Sequence, residues 1–399
     1  MPATFLRRPN VLIALTALAC ACFASYAHAD SSFTGIGDVT GGSFSSLAQG
    51  VSGDGLTVVG QGQAANGVNV AVIWTAATGI KTLYSTTVNG IAYKASSDGK
   101  VVAGRDSGNG ARAFRQVVTS APVYLGGLNP AGSPPNQGRS WAISSDASVT
   151  VGSVASPASS AGEQAFRYSS ATGLVPLGFL GSIHDNGISY LSEAHDVSGD
   201  GSVIVGFSSS SIGQSAFRYT VAGGMSELGR LSGDTSNYIA NGISTDGKVI
   251  VGKSLDRGSV TWTEAGGVQL LSGISSRRSA LDANGNGSVI VGFDYLPGSG
   301  DTTAMFWVGG VEFNLKDYLV SQGNTAVVGW DLRLANGISD DGLTIVGTGI
   351  DPSGFTEGFV AHISAVPELP SGALLGAGLL ACGAVARRRM KTLDSRSGR

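Results

Sequence analysis

The sequence predicts an all-β fold: a seven-bladed β-propeller closed by its own N-terminal strand, with a short hydrophobic helix at the C-terminus. Three observations predict it. First, a turn residue, usually Asp before Gly, is followed six positions later by a Gly that ends a β-branched run. The seven copies are Asp54…Gly60, Asp98…Gly104, Asp146…Gly152, Asp200…Gly206, Asp246…Gly252, Asn286…Gly292 and Asp341…Gly347. Second, the six-residue offset holds in all seven while the copies lie 40 to 55 residues apart, a period that belongs to blade arrays. Third, the chain ends are complementary. A fourth-strand pattern follows six of the copies, none follows the seventh, and a spare one stands at 31–42.

Each copy reads as four strands. The first carries Ala, Gly, Ile or Val before the turn, as in 48–52, 194–198, 240–244 and 335–339. The Asp-Gly pair allows the positive φ angles of a tight hairpin turn. The second strand is short and β-branched, as buried strands are. A Ser/Gly-rich linker leads to a third strand with an aromatic: Trp74, Phe114, Phe166, Phe217, Trp262, Phe306–Trp307 or Phe359. These phased aromatics read as blade core. The fourth strand ends near Leu-Gly, as in 122–128 and 223–231. No part of the repeat region has sustained helical periodicity. Strand 31–42 can supply the outer strand missing from the last blade, which is how propellers close and protect their edges. An open solenoid would need capping units instead.

Composition fits this reading. Gly contributes 61 of 399 residues and charged residues only 13%, while 42% are hydrophobic, enough for a large core. The repeats run without a compositional break, so 30–363 reads as one domain between a signal (1–29), a C-terminal segment (364–391) and a tail (392–399).

Both ends look like addresses. Arg7 and Arg8 precede an apolar run from Val11 to Ala24, and Ala27 and Ala29 stand at −3 and −1 before Asp30, as signal peptidase requires. Cys20 invites a lipidation reading, against which Ala17 stands where that site wants Leu. At the other end Val366, Pro367, Glu368, Leu369 and Pro370 precede an apolar run (372–386) and the cluster Arg387, Arg388, Arg389. This order resembles the PEP-CTERM sorting tail of Gram-negative bacteria, although Leu369 separates Glu368 from Pro370. The resemblance implies transient membrane anchoring through 372–386 and recognition by an exosortase-type sorting enzyme. It also implies export across the inner membrane to the cell surface or matrix, in association with exopolysaccharide and biofilm. Fifteen apolar residues rise only about 22 Å, short of a ~30 Å hydrocarbon core, which speaks against a plain anchor.

The repeats 240–254 and 196–231 resemble the extracellular HAF-repeat family at their Asp/Gly, Val-Gly and Ala-Phe positions. That family's His before Ala-Phe is replaced by Arg112, Gln164 and Ser215. The resemblance implies an extracellular β repeat protein and no particular activity.

All three cysteines, Cys20, Cys22 and Cys382, fall in the end segments, so the body carries no disulfide framework. From Asp30 to Ala386, 17 basic residues face 27 acidic ones, a net of −10, the wrong sign for nucleic acid. No cofactor or metal site is expected. His184, His195 and His362 lie in different repeats without ligand spacing. His195 aligns with Gly242 and Gly337 and so reads as structural, although His195-Asp196 could be half of a hydrolytic dyad. Glu163, Glu193, Glu227, Glu264, Glu312 and Glu357 read as scattered, solvated turn residues. Asp282, Asn284 and Asn286 begin like a calcium loop, but Phe293 replaces its twelfth-position Glu. Trp141 and Trp330 fall out of phase; a core role is favoured, with exposed sugar-stacking the alternative.

With no catalytic constellation, the expected function is a non-enzymatic surface or matrix protein that scaffolds or binds extracellular polysaccharide or a surface partner. The alternative is a secreted propeller hydrolase or lyase acting on such a polymer at the channel mouth.

Overall fold

The computed structural model describes residues 31–363 apart from 109, 129–136, 160–161, 182–189 and 274. These residues form seven four-stranded antiparallel sheets in a ring, the predicted seven-bladed propeller. In the first six blades the strands follow chain order from the channel outward. The innermost are Ser46–Val51, Gly90–Ala95, Gly138–Ile143, Ser192–Val197, Tyr238–Ile243 and Ser279–Ala283. Blade 7 has Asp331–Ile338, Thr344–Ile350 and Thr356–His362 from the C-terminal end, and Ser32–Gly35 pairs outside Thr356–His362. Its register sets Ser32 opposite His362 and Gly35 opposite Phe359. Phe33 packs against Trp330 at 5.1 Å and Phe359 at 5.6 Å between centroids. The expected closure is therefore present, and Trp330 is core.

The repeated Gly has a steric cause. Each faces a small inner-strand residue: Ala48, Ala92, Ser140, Ala194, Ala240, Ala280 or Ala335. A Cβ on any of the seven Gly would overlap the carbonyl oxygen of the residue before that partner, as at Gly206 with Glu193. At Gly104 and Gly347 it would also enter the ring of Phe114 or Phe359 from the third strand. The motif thus marks where backbone and aromatic ring share one space.

The hairpin turns differ from expectation. Only the residue after the Asp or Asn has positive φ, from 67° at Gly99 to 78° at Gly342 in six turns and 58° at Ala147 in blade 3. The loop is wider than a two-residue turn and is held by a buried Ser at its start. Ser198 Oγ donates to Asp200 Oδ1 (2.7 Å) and accepts from Val203 N (3.0 Å), and Ser52, Ser96, Ser144, Ser244 and Ser339 repeat the pattern. In blade 6 Asn284 Oδ1 replaces the hydroxyl, accepting from Val289 N at 2.9 Å. Those three oxygens of the calcium-like stretch are separately engaged: Asn286 with Ser288 N, and Asp282 inside the channel.

One short helix, Leu315–Ser321, joins blades 6 and 7, where the sequence shows no sustained helical period. Asn314 caps it by accepting from Asp317 N, and Leu315 and Leu319, one turn apart, are buried. Seven residues were too few for a periodic signal.

Candidate ligand site at the channel mouth

Every inner strand carries a β-bulge at the same place, just after the small residue that faces the repeated Gly. A bulge leaves one residue unpaired and re-aims its side chain. The seven unpaired residues are Gln49, Tyr93, Trp141, His195, Asn241, Leu281 and Asn336, and together they line a cavity of about 280 Å³ at one mouth of the channel. That volume lies near the lower end of the ~300–1,000 Å³ usual for small-ligand sites.

The ring has two characters. Tyr93, Trp141 and His195, on consecutive blades, form an aromatic arc, with centroids 4.5 Å apart for the first pair and 5.6 Å for the second. Glu193 fixes it from beneath, accepting from Trp141 Nε1 at 3.2 Å and lying 3.6 Å from His195 Nε2. Burial works to raise the Glu193 carboxyl, but His195, Arg139 and Trp141 together hold it below its usual range. On the other side stand the amides of Asn241 and Asn336. Each donates to the next blade's backbone, Asn241 to Ala280 O (2.7 Å) and Asn336 to Ala48 O (2.8 Å), which holds its carbonyl end in place.

Below the mouth lies a charged waist. Lys94 of blade 2 crosses the channel to Asp282 of blade 6 (2.9 Å). A quarter of the Lys94 side chain is open to water in the channel, yet protein surrounds it on all sides. Burial alone would lower its pKa, but Asp282 and Asp196 outweigh it and hold the ammonium above the ordinary lysine range. Burial pushes the Asp196 carboxyl up to about 6, against the pull of Lys94 and with added repulsion from Asp282. Both carboxylates also act as staples between blades. Asp196 accepts from Val197 N (2.9 Å) and Ile243 N (3.0 Å), and Asp282 from Ala283 N (2.9 Å) and Ile338 N (3.2 Å).

The far end of the channel is closed. Backbone N–H···O=C bonds of 2.9–3.0 Å link the turns around the ring, through Asp54–Ser97, Ser97–Ser145, Ser145–Gly199, Gly199–Thr245, Asp246–Gly285, Gly285–Asp340 and Asp340–Gly53. Inside it Asp340 accepts from Thr245 Oγ1 (2.5 Å) and Ser97 Oγ (3.1 Å), crosslinking blades 7, 5 and 2. Only about 40 Å³ remains between waist and ring.

Several expectations change here. His195 aligns with Asn241 and Asn336, each five residues before the turn Asp, whereas it is Asp196 that aligns with Gly242 and Gly337. Trp141 is in phase with the ring, and Glu193 is a half-buried support instead of a solvated turn residue. Among the described residues no group of three His, Cys, Asp or Glu is disposed to hold a metal. His184, the signal positions Ala27 and Ala29, and the tail residues Val366, Pro367, Glu368, Pro370, Arg387, Arg388 and Arg389 lie outside the described residues. No helix among the described residues is long and apolar enough to cross a membrane.

No family model matches the chain, and none of the curated proteins does. Among solved structures it is similar in fold to TolB from Acinetobacter baumannii (TM-score 0.43, 13% identity), covering 78% of this chain and 64%, just under two thirds, of that one. A putative TolB from Agrobacterium tumefaciens is also similar (TM-score 0.39, 12% identity), over 80% of this chain and 91% of that one.

Proposed function

We propose that this is an exported, non-enzymatic protein of the cell surface or extracellular matrix that binds extracellular polysaccharide at the channel mouth. One observation carries the binding half: an aromatic arc faces fixed amides across an open, sugar-sized concavity. Aromatic faces stack on the apolar faces of sugar rings, and the fixed amide carbonyls of Asn241 and Asn336 accept from hydroxyls. The export half is supported by the signal-like start and the PEP-CTERM-like tail.

Two experiments test the halves separately. Mass spectrometry of surface material should find a mature start near Asp30 and no peptide beyond about Pro370; recovering Arg387–Arg399 from an exported form would refute processing. The purified protein should retain the organism's own exopolysaccharide without shortening it, and Trp141→Ala should abolish retention.

A second reading, a hydrolase or lyase, is favoured by Asp196, whose raised pKa suits a proton donor, beside a second carboxylate at the waist. Shortened or unsaturated chains in the same incubation, lost in Asp196→Asn, would establish it. Against it, both carboxylates already hold backbone N–H groups of neighbouring blades.

A further inference from the structure

We propose that the polysaccharide is acidic, and that Arg105 supplies a subsite for its carboxylates beside the aromatic arc. The inference rests on the glycan-binding reading and deepens it. Arg105 lies on the second strand of blade 2, directly opposite Ile91 of the inner strand. Two residues beyond Ile91 is Tyr93, the first member of the arc. Ile91 and Arg105 line a second cavity of about 320 Å³, and Tyr93 lines the mouth, so the two openings adjoin along one strand. Arg105 and Arg139 both lie close enough to Tyr93 to draw its phenol down against the burial that raises it.

The second cavity is rich in donors. No carboxylate among the described residues lines it. Arg105 is half-buried and makes no hydrogen bond or ion pair among the described residues. Its neighbour Asp106 points to the other side of the strand, where Arg112 (2.8 and 3.0 Å) and the Tyr124 hydroxyl (2.5 Å) occupy it. Asn89 and Asn69 use their carbonyl oxygens, Asn89 on Asn69 N (3.2 Å) and Asn69 on Gln63 Nε2 (3.3 Å), and among the described residues neither NH₂ group has an acceptor. A guanidinium fork and two amide NH₂ groups, with no internal anion to satisfy them, match a planar carboxylate. The body as a whole is acidic, so this local excess of donors is not a by-product of composition. A chain whose ring stacks on Tyr93 and Trp141 can place the carboxylate of an adjoining uronic acid over Arg105.

The test compares one polymer with and without its charge. The purified full chain, Arg105→Gln, Arg105→Lys and Trp141→Ala are titrated with oligogalacturonate and with its methyl ester. The parent should bind the acid at least about tenfold tighter than the ester. Arg105→Gln should bind both equally at the ester's level, Arg105→Lys should recover part of the preference, and Trp141→Ala should weaken both alike. Because Arg105 has no partner among the described residues, the Gln variant should keep the parent's melting temperature. A lowered one would make Arg105 structural and overturn the subsite. Equal binding of acid and ester by the parent, still dependent on Trp141, would overturn the subsite and leave the glycan reading standing. Binding of neither, or binding indifferent to Trp141, would overturn the reading and the subsite together.

Discussion

The two ends of the channel are built from the same seven repeats and differ in what the repeats hold constant. At the closed end the ring positions are Gly53, Ser97, Ser145, Gly199, Thr245, Gly285 and Asp340, mostly small, and the bonds that join them are backbone to backbone. At the mouth the equivalent ring is Gln49, Tyr93, Trp141, His195, Asn241, Leu281 and Asn336, with amides, aromatics and an aliphatic in turn. A backbone ring needs only that side chains stay out of the way, so it tolerates repetition. A binding surface for an asymmetric ligand cannot be sevenfold symmetric. Where the copies agree they build the scaffold, and where they disagree at one fixed geometric position they build the site.

The closed end depends on blade 7 being completed, so removing its outer strand should have the largest effect. Deleting residues 30–43 takes away Phe33, Ile36 and Val39 and exposes the edge Thr356–His362. The loss should exceed the ~3–5 kcal/mol that truncating one buried Phe costs. Thermal melting should show a much lower or non-cooperative transition. A truncated protein that melts like the parent would mean the ring does not need its closure.

The waist couples the two ends and should respond to pH. Lys94→Met leaves Asp196 and Asp282 buried without their cation, which should cost about 3–5 kcal/mol at pH 8. The sign follows from Asp196. Its folded pKa, near 6, is above the ordinary 3.8, so its contribution is fully present below about 4 and is lost as pH rises through 6. Without Lys94, which pulls it down, that loss should be deeper and should shift to higher pH. Denaturant midpoints of parent and variant should therefore converge at pH 5 and diverge at pH 8. An equal gap at both values would show that Lys94 acts through packing alone.

Most of the scaffold was legible in the sequence. The offset from Asp to Gly gave the blade count, and the spare strand at 31–42 gave the closure, because both follow from local turn chemistry and strand counting. The site was less legible for a specific reason. A bulge breaks the alternation of side chains, so no strand pattern says that the residue five positions before each turn Asp or Asn faces the channel; His195 was read one column off, against Gly242, when its counterpart at that offset is Asn241. The seven Ala/Ser-to-Gly pairs were a usable anchor, since aligning on Ala194, Ala240 and Ala335 would have put Trp141 and His195 in one column. Lys94, Asp196 and Asp282 meet only across the channel, 188 residues apart in the case of the ion pair, and no local pattern announces that.

Gly206→Ala and Trp141→Ala test the division of labour directly. The first drives a Cβ into the Glu193 carbonyl and should cost about 1–3 kcal/mol with the mouth chemistry intact. The second should alter stability by less and abolish polysaccharide retention. Denaturation and retention measured on both variants should cross; variants that lose both properties together would erase the distinction between scaffold and site.

The smallest effect expected is a gain. The turn of blade 3 is the one copy in which the left-handed position is not Gly: Ala147 sits at φ 58°. Its carbonyl accepts from Arg115 Nη2 (2.9 Å) and its N–H bonds Ser144 O (2.9 Å), so the residue cannot relax to negative φ without breaking both. Left-handed backbone costs an L-residue about 1–2 kcal/mol. Glycine relieves that strain but gives back roughly 0.4–1 kcal/mol of unfolded-chain entropy. Ala147→Gly should therefore stabilise the protein by about 0.5–1 kcal/mol, read as a small rise in the denaturant midpoint. The reverse change in the next blade, Gly201→Ala, should destabilise by more than this gain, because there the same strain is joined by contact of the new Cβ with Val149. If Ala147→Gly leaves the midpoint where it was, the strain at φ 58° is already absorbed by the two hydrogen bonds, and the turn at blade 3 is as free a choice as any residue of the mouth.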